Sequence, residues 1–204
     1  VGAHFTGYLF TTNDFRSPTY LFTATGSAIA KLVVTKKLLV DVQHNSTAPL
    51  TDTANGSGAL FAFLAKSGIQ VTYSAPLLQP HGHDILLIVS PQKNYSKAEI
   101  DSISAFVKDG GLLIALGNSS QEGSNDALNS LMKDSALASQ MSLNNDLVVD
   151  STAKFLSPLS PLLTNFADAK HPFFTNADTL VFFGSSSVNV SGAAIPFVST
   201  STTG

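Results

Sequence analysis

The 204-residue chain contains no cysteine and no tryptophan, and only 12% of its residues are charged. The missing cysteine removes disulfide frameworks, thiolate zinc sites, iron–sulfur ligation and thiol nucleophiles from consideration. Charge is about half that of an ordinary soluble domain, and the shortfall is made up by Ser and Thr. The net charge is −3 with a pI near 5.9, and the longest basic run is Lys36-Lys37. Nucleic-acid binders carry a basic footprint because phosphate contacts dominate their affinity, so the balance disfavours that class. No apolar run approaches the ~18 residues of a membrane span. No signal peptide is evident, and a chain opening at Val1 reads as a processed product or a trimmed piece.

What is present is a large apolar fraction, 44%, enough for one buried core. Five N-x-S/T sequons occur, at Asn45, Asn55, Asn94, Asn118 and Asn189. With a polar, uncharged surface they are compatible with export, although as plain loop residues they need no such explanation.

Three regions emerge along the chain. Residues 1–36 read as an N-terminal β element. Phe5 to Thr11 and Thr19 to Thr25 are rich in aromatic and β-branched residues, with turn formers between them, as in a β-hairpin. Ala28 to Val34 would add a strand. This element is expected to be the tail of a preceding domain or an extension covering a sheet edge. Its aromatics, Phe5, Tyr8, Phe10, Tyr20 and Phe22, would pack on the main domain or form an exposed strip.

Residues 37–198 read as an α/β domain. Leu38 to Val42 and Asp84 to Val89 are continuous apolar runs of the kind buried on both faces of a parallel sheet. Ile69 to Tyr73 and Gly111 to Leu116 supply further strands. Ala59 to Lys66 reads as a helix stopped by Gly68. Ser96-Lys97-Ala98-Glu99 has the spacing of a capping box, followed by Ile100, Ile103 and Val107 at helical spacing and by Gly110 as C-terminal cap. Asn125 is expected to cap a helix over Asp126 to Lys133. Phe61, Phe63, Phe106, Phe182 and Phe183 are expected in the core. Later strands are expected at Leu147–Val149, Leu180–Phe183 and Ile195–Val198, with loop and short helical turns over 157–172. Residues 199–204 read as a linker or tail.

Such alternation predicts a mostly parallel sheet with helices on both faces, whose strand-exit loops gather at one edge. Ligands bind at that edge in such folds.

Several segments resemble a known family. The block "LLVDVQHN", the turn "KSGIQVTY", the stretch "HDILLIVSPQKNYSKAEIDSISAFVKDGGLLIALGN" and the later "HPFFTNADTLVFFGSSSV" resemble the class I glutamine amidotransferase-like domain of the GIFT type. That domain occurs in gliding-motility proteins, an intraflagellar transport subunit and uncharacterised prokaryotic proteins. A related domain occurs in a non-catalytic oligosaccharyltransferase subunit. The resemblance spans about residues 37–198 and implies a flavodoxin-like sheet and a scaffold or binding role. It places the turn that carries the nucleophilic cysteine of true amidotransferases at Gly117, Asn118 and Ser119. The missing cysteine excludes glutamine amidotransferase activity.

The candidate site residues lie mainly at strand exits. Asp41 and His44 could form a general-base pair or two metal ligands, or Asp41 could cap its loop while His44 bonds locally. Ser119 or Ser120 could act as nucleophile if a His and a carboxylate converged on it. However, Leu-Gly-Asn-Ser-Ser-Gln is not G-x-S-x-G, and a polar turn suffices. The catalytic candidates are Asp41, His44 and Ser119. The ligand-binding set is Asp41, His44, Asn45, Ser90, Gly117, Asn118, Ser119 and His171. His81-Gly82-His83 enters the sheet from the opposite edge and reads as a solvated turn. No metal site and no cofactor is expected.

The reading is a non-catalytic binding or scaffolding module of an exported or membrane-tethered prokaryotic protein, with an unidentified protein or small polar ligand as partner. The alternatives are a hydrolase using Asp41 and His44 with a serine or metal, and a nucleic-acid-associated protein.

Overall fold

The computed structural model describes residues 7–11, 37–44, 58–74, 78–120, 123–134, 137, 140–166, 179–182, 184–196 and 198–200. The sheet begins with β1 (Gly7–Thr11), β2 (Lys37–Val40), β3 (Gln70–Tyr73), β4 (Ile85–Val89) and β5 (Leu112–Gly117). These five pair in parallel in the order β1-β5-β4-β2-β3. Counted from β2, four of them follow the 2-1-3-4 order that opens the flavodoxin-like arrangement. The next position is taken by β1, from near the start of the chain. Gly7–Thr11 therefore lies along the edge of the main sheet. The proposed partner strands at 19–25 and 28–34 fall outside the described residues.

Period-two alternation assigns the strand side chains to two cores. Leu38, Val40, Ile85, Leu87, Val89, Ile114 and Leu116 face one side. There they meet Leu60, Phe61 and Leu64 of helix α1 (Gly58–Lys66). Leu39, Leu86, Ile88, Leu113 and Ala115 face the other. That side is covered by Ile100, Ile103 and Phe106 of α2 (Lys97–Lys108) and by Leu128, Leu131 and Met132 of α3 (Asp126–Lys133). Helices on both faces explain the unbroken apolar runs of β2 and β4. Phe63, expected in the core, is 40% exposed, because the buried stripe of α1 runs through Leu60, Phe61 and Leu64.

The helix ends are set by local chemistry. Ser96 accepts from the Glu99 amide and Glu99 bonds back to the Ser96 amide, completing the capping box of α2. Gly68 (φ 86°) and Gly110 (φ 97°) end α1 and α2. The amides of Gly68 and Ile69 bond to Ala65 and Leu64, and those of Gly110 and Gly111 to Val107 and Phe106. Both sets are Schellman pairings, which need a left-handed residue at the turn.

Beyond α3 the chain forms two-stranded antiparallel ribbons. β6 (Met141–Leu143) pairs with β10 (Val188–Val190). β7 (Leu162–Leu163) pairs with β9 (Leu180–Val181). β8 (Asn165–Phe166) pairs with β11 (Val198–Ser199). Here the sequence expectations need correction. Leu147–Val149 is not a strand, and Val149 is 46% exposed. Short strands replace the helical turns expected after 157. Ile195 lies outside any strand because Pro196, next to it, has no amide to give a ladder. Among the described residues, no helix is long and apolar enough to cross a membrane.

A Cβ on Gly111 would stand 2.3 Å from the ring of buried Phe106. Gly111→Ala is therefore expected to cost about 1–3 kcal/mol through overpacking, measured by urea denaturation. An unchanged midpoint would contradict the packing described.

Candidate strand-exit site

Two side-chain networks occupy the edge where the parallel strands end. The first lies at the switch between β2 and β4. Asp41 follows β2 and continues its ladder, its amide donating to Leu87 O (2.9 Å). Its side chain turns back into the protein. Oδ1 accepts from the Gln43 amide (3.0 Å), the local turn typical of Asp after a strand, and from the Ser74 hydroxyl (3.4 Å). Oδ2 accepts from Tyr95 OH (2.8 Å) and lies 2.8 Å from His44 Nδ1.

His44 Nε2 stands 3.5 Å from Glu99 Oε2, and its ring stacks on Tyr95 with centroids 3.9 Å apart. The His44 carbonyl accepts from the amides of Gln92 (2.7 Å) and Lys93 (3.2 Å). Asp41, His44, Tyr95 and Glu99 are all less than 10% exposed.

Burial raises the Asp41 carboxyl, but the His44, Tyr95 and Gln43 donors outweigh it and hold it below its ordinary value. Burial lowers His44, yet Asp41 and then Glu99 bring it above the usual imidazole value. Glu99 is raised by burial and lowered more by Ser96 and His44. Burial, followed by the Asp41 charge, drives the Tyr95 phenol well up, so it stays a donor.

The signs define a pH window. The His44 contribution is complete below the ordinary imidazole value and is lost as pH rises through the raised one. The Asp41 and Glu99 contributions are complete above ordinary carboxylate values and are lost as pH falls through the lowered ones.

The second network lies at the end of β5, where Asn118 and Ser119 are fully buried. Asn125 organises it. The Asn118 amide donates to Asn125 Oδ1 (2.7 Å). Asn125 Nδ2 donates to the carbonyls of Asn118 (2.8 Å) and Asn144 (2.9 Å) and to Ser186 Oγ (3.3 Å). Asn125 thus stands at the N-cap of α3 without a side-chain cap bond. Ser124 Oγ accepts from the Asp126 amide instead. Asp146 O receives the Ser120 amide, and the Asp146 carboxylate binds the Ser187 amide (2.7 Å). A Cβ on Gly117 would meet Leu143 at 2.3 Å and Asn125 at 2.9 Å, so this turn needs glycine for close approach.

The structure brings Asp41 and His44 together, as their spacing suggested. The serine it brings to them is Ser74, which donates to Asp41 Oδ1 (3.4 Å), and not Ser119. His44 Nε2, which a nucleophile would have to meet, faces Glu99. The Ser119 hydroxyl is buried without a hydrogen-bond partner. Ser90, directly after β4, is the described non-glycine residue with positive φ (45°), so the strained strand-end turn stands there and not at 117–119. Its hydroxyl donates inward to Gly117 O (3.3 Å) and is 1% exposed. His83 Nε2 bonds to Thr72 Oγ1 (2.8 Å) before β4. Among the described residues, no group of three His, Asp or Glu is placed to hold a metal. Asn45 and His171 lie outside the described residues.

Sequence reasoning missed Tyr95, Ser74, Asn125 and the wider role of Glu99. Glu99 was visible as a capping residue, but its second contact is His44, in the turn after β2.

The chain belongs to the family described as "Domain of unknown function (DUF4350)", whose model matches residues 49–202. The match holds Ser74, Tyr95 and Glu99 and begins after Asp41 and His44. No curated protein matches the chain. Among solved structures, the mmIFT52 N-terminal domain is similar at 18% identity and a TM-score of 0.66, covering 81% of this chain and 73% of that one. At this identity the likeness is one of fold.

Tyr95→Phe keeps the ring but removes a donor from a buried carboxylate, and is expected to cost about 1.5–3 kcal/mol. Ser119→Ala removes an unsatisfied hydroxyl and is expected to be neutral or stabilising by about 1 kcal/mol. Urea titrations of the two variants check both; a destabilised Ser119→Ala would contradict the isolation of its hydroxyl.

Proposed function

We propose that this DUF4350 chain is a non-catalytic binding or scaffolding module on an amidotransferase-like fold of the GIFT type, acting on a protein partner. One observation carries the reading. At the strand-exit edge Asp41, His44, Tyr95 and Glu99 are buried and paired with one another, and the Ser119 hydroxyl is buried with no base bonded to it. A closed, buried polar turn at the end of β5 agrees with a role in which the fold presents surface.

Exposed apolar side chains lie elsewhere. Phe155, Leu156 and Leu159 are 47%, 74% and 38% exposed. They stand on a loop braced by Asp150 Oδ1, which accepts the Thr152 and Ala153 amides (2.8 Å each), and by the Phe155 amide to Ser160 O (2.9 Å). A rigid backbone with exposed apolar groups suits protein association, because little ordering entropy remains to be lost. An exported or membrane-tethered prokaryotic setting belongs to the same proposal, supported by the low charge and the Ser/Thr-rich composition.

The Asp41–His44 contact is the observation favouring a hydrolase. Against it, both ring nitrogens face the chain's own carboxylates, at 2.8 Å and 3.5 Å.

The test has two arms. Esterase, amidase and glutaminase assays are expected to show no turnover that His44→Gln abolishes. Crosslinking of the tagged full chain in its native cells is expected to yield a reproducible protein partner, lost on Leu156→Ser with the fold intact by circular dichroism. Turnover that depends on His44 or Ser119 would replace this reading with the hydrolase.

A further inference from the structure

We propose that Asp41, His44 and Glu99 form a one-proton latch. Cationic His44 ties the 90–96 segment and the N-terminus of α2 to the end of β2, and neutral His44 releases them. This goes beyond the binding role and does not depend on it.

The geometry carries the inference. A neutral imidazole has one N–H, whereas both ring nitrogens of His44 face carboxylate oxygens, at 2.8 Å and 3.5 Å. With a single proton, the nearer Asp41 keeps it on Nδ1. Nε2 then presents a lone pair to Glu99 Oε2 in a buried site, and two acceptors repel. Glu99 itself remains satisfied by the amide (2.9 Å) and hydroxyl (2.7 Å) of Ser96. The capping box survives, so α2 keeps its end. What is lost is the side-chain link from α2 to the β2 exit.

Among the described residues, the groups facing His44 come from three elements. Asp41 comes from the β2 exit, Tyr95 covers the ring from the 90–96 segment, and Glu99 reaches in from α2. Lys97, on the same helix, is exposed and pairs with Asp101 and Asp134. The bonds most exposed to the change are those from the Gln92 and Lys93 amides to the His44 carbonyl. Opening there would uncover the switch point between β2 and β4, the customary ligand edge of such sheets.

The full chain is titrated from about pH 6 to about pH 9 by NMR of the His44 ring. Hydrogen exchange of the Gln92 and Lys93 amides, corrected for intrinsic rates, is followed in parallel. The expected result is a ring midpoint above that of free imidazole, with protection at both amides falling about tenfold per unit of midpoint shift. The core amides of β4 and β5 should hold their protection. Glu99→Gln, which can still complete a capping box, should lower the midpoint and flatten the step. A ring that titrates without any change at Gln92 and Lys93 would overturn the latch. So would a midpoint at or below free imidazole, or an equal step in Glu99→Gln.

Discussion

Asp41 accepts from four groups that arrive from three directions. Gln43 is its own neighbour, His44 follows in the same turn, Ser74 comes from the end of β3, and Tyr95 from the segment before α2. A buried carboxylate is costly unless its oxygens are bonded, and that requirement draws these segments together. The Ser74 hydroxyl also accepts the Val42 amide (3.0 Å), and Gln43 Nε2 donates to Ser74 O (3.1 Å). The exits of β2 and β3 and the segment after β4 are therefore joined through one ion. His44 extends the joint to α2 through Glu99, making the capping box a tertiary contact as well as a local one.

The end of β5 follows the same logic with a neutral group. Asn125 carries both acceptor and donor atoms, and uses them on Asn118, Asn144 and Ser186. The turn at the end of β5 is thereby closed. The Asn125 side chain carries no titrating charge, whereas the Asp41 closure is built on one. The two halves of the strand-exit edge are centred on different chemistry, a carboxylate in the first and a carboxamide in the second.

Much of the fold was legible because its signals are local or periodic. Leu38–Val42 and Asp84–Val89 could be read as central strands since burial on both faces leaves no polar alternation. Ser96 and Glu99 announced α2 through spacing alone. The later strands were misplaced at Leu147–Val149 and at Ile195, with only Val198 of that run falling in β11, because strands of two or three residues are defined by a distant partner and carry no period of their own. Asp41 and His44 were legible as a pair since three residues in one turn bring them together. Tyr95 lies 54 positions from Asp41, and nothing in either segment announces the other. Asn125 has the sequence position of a helix cap, but buried carbonyls compete for its side chain and win.

The sequence by itself determined the layered α/β architecture, the helix boundaries and the exclusion of thiol chemistry, because apolar periodicity, capping residues and the absence of sulfur need no partner to act. Only the tertiary structure decided what the strand-exit residues touch. An imidazole three positions from a carboxylate fixes one ring nitrogen and leaves the other open. Packing α2 against the sheet brought Glu99 to within 3.5 Å of that second nitrogen, a contact that no local spacing encodes.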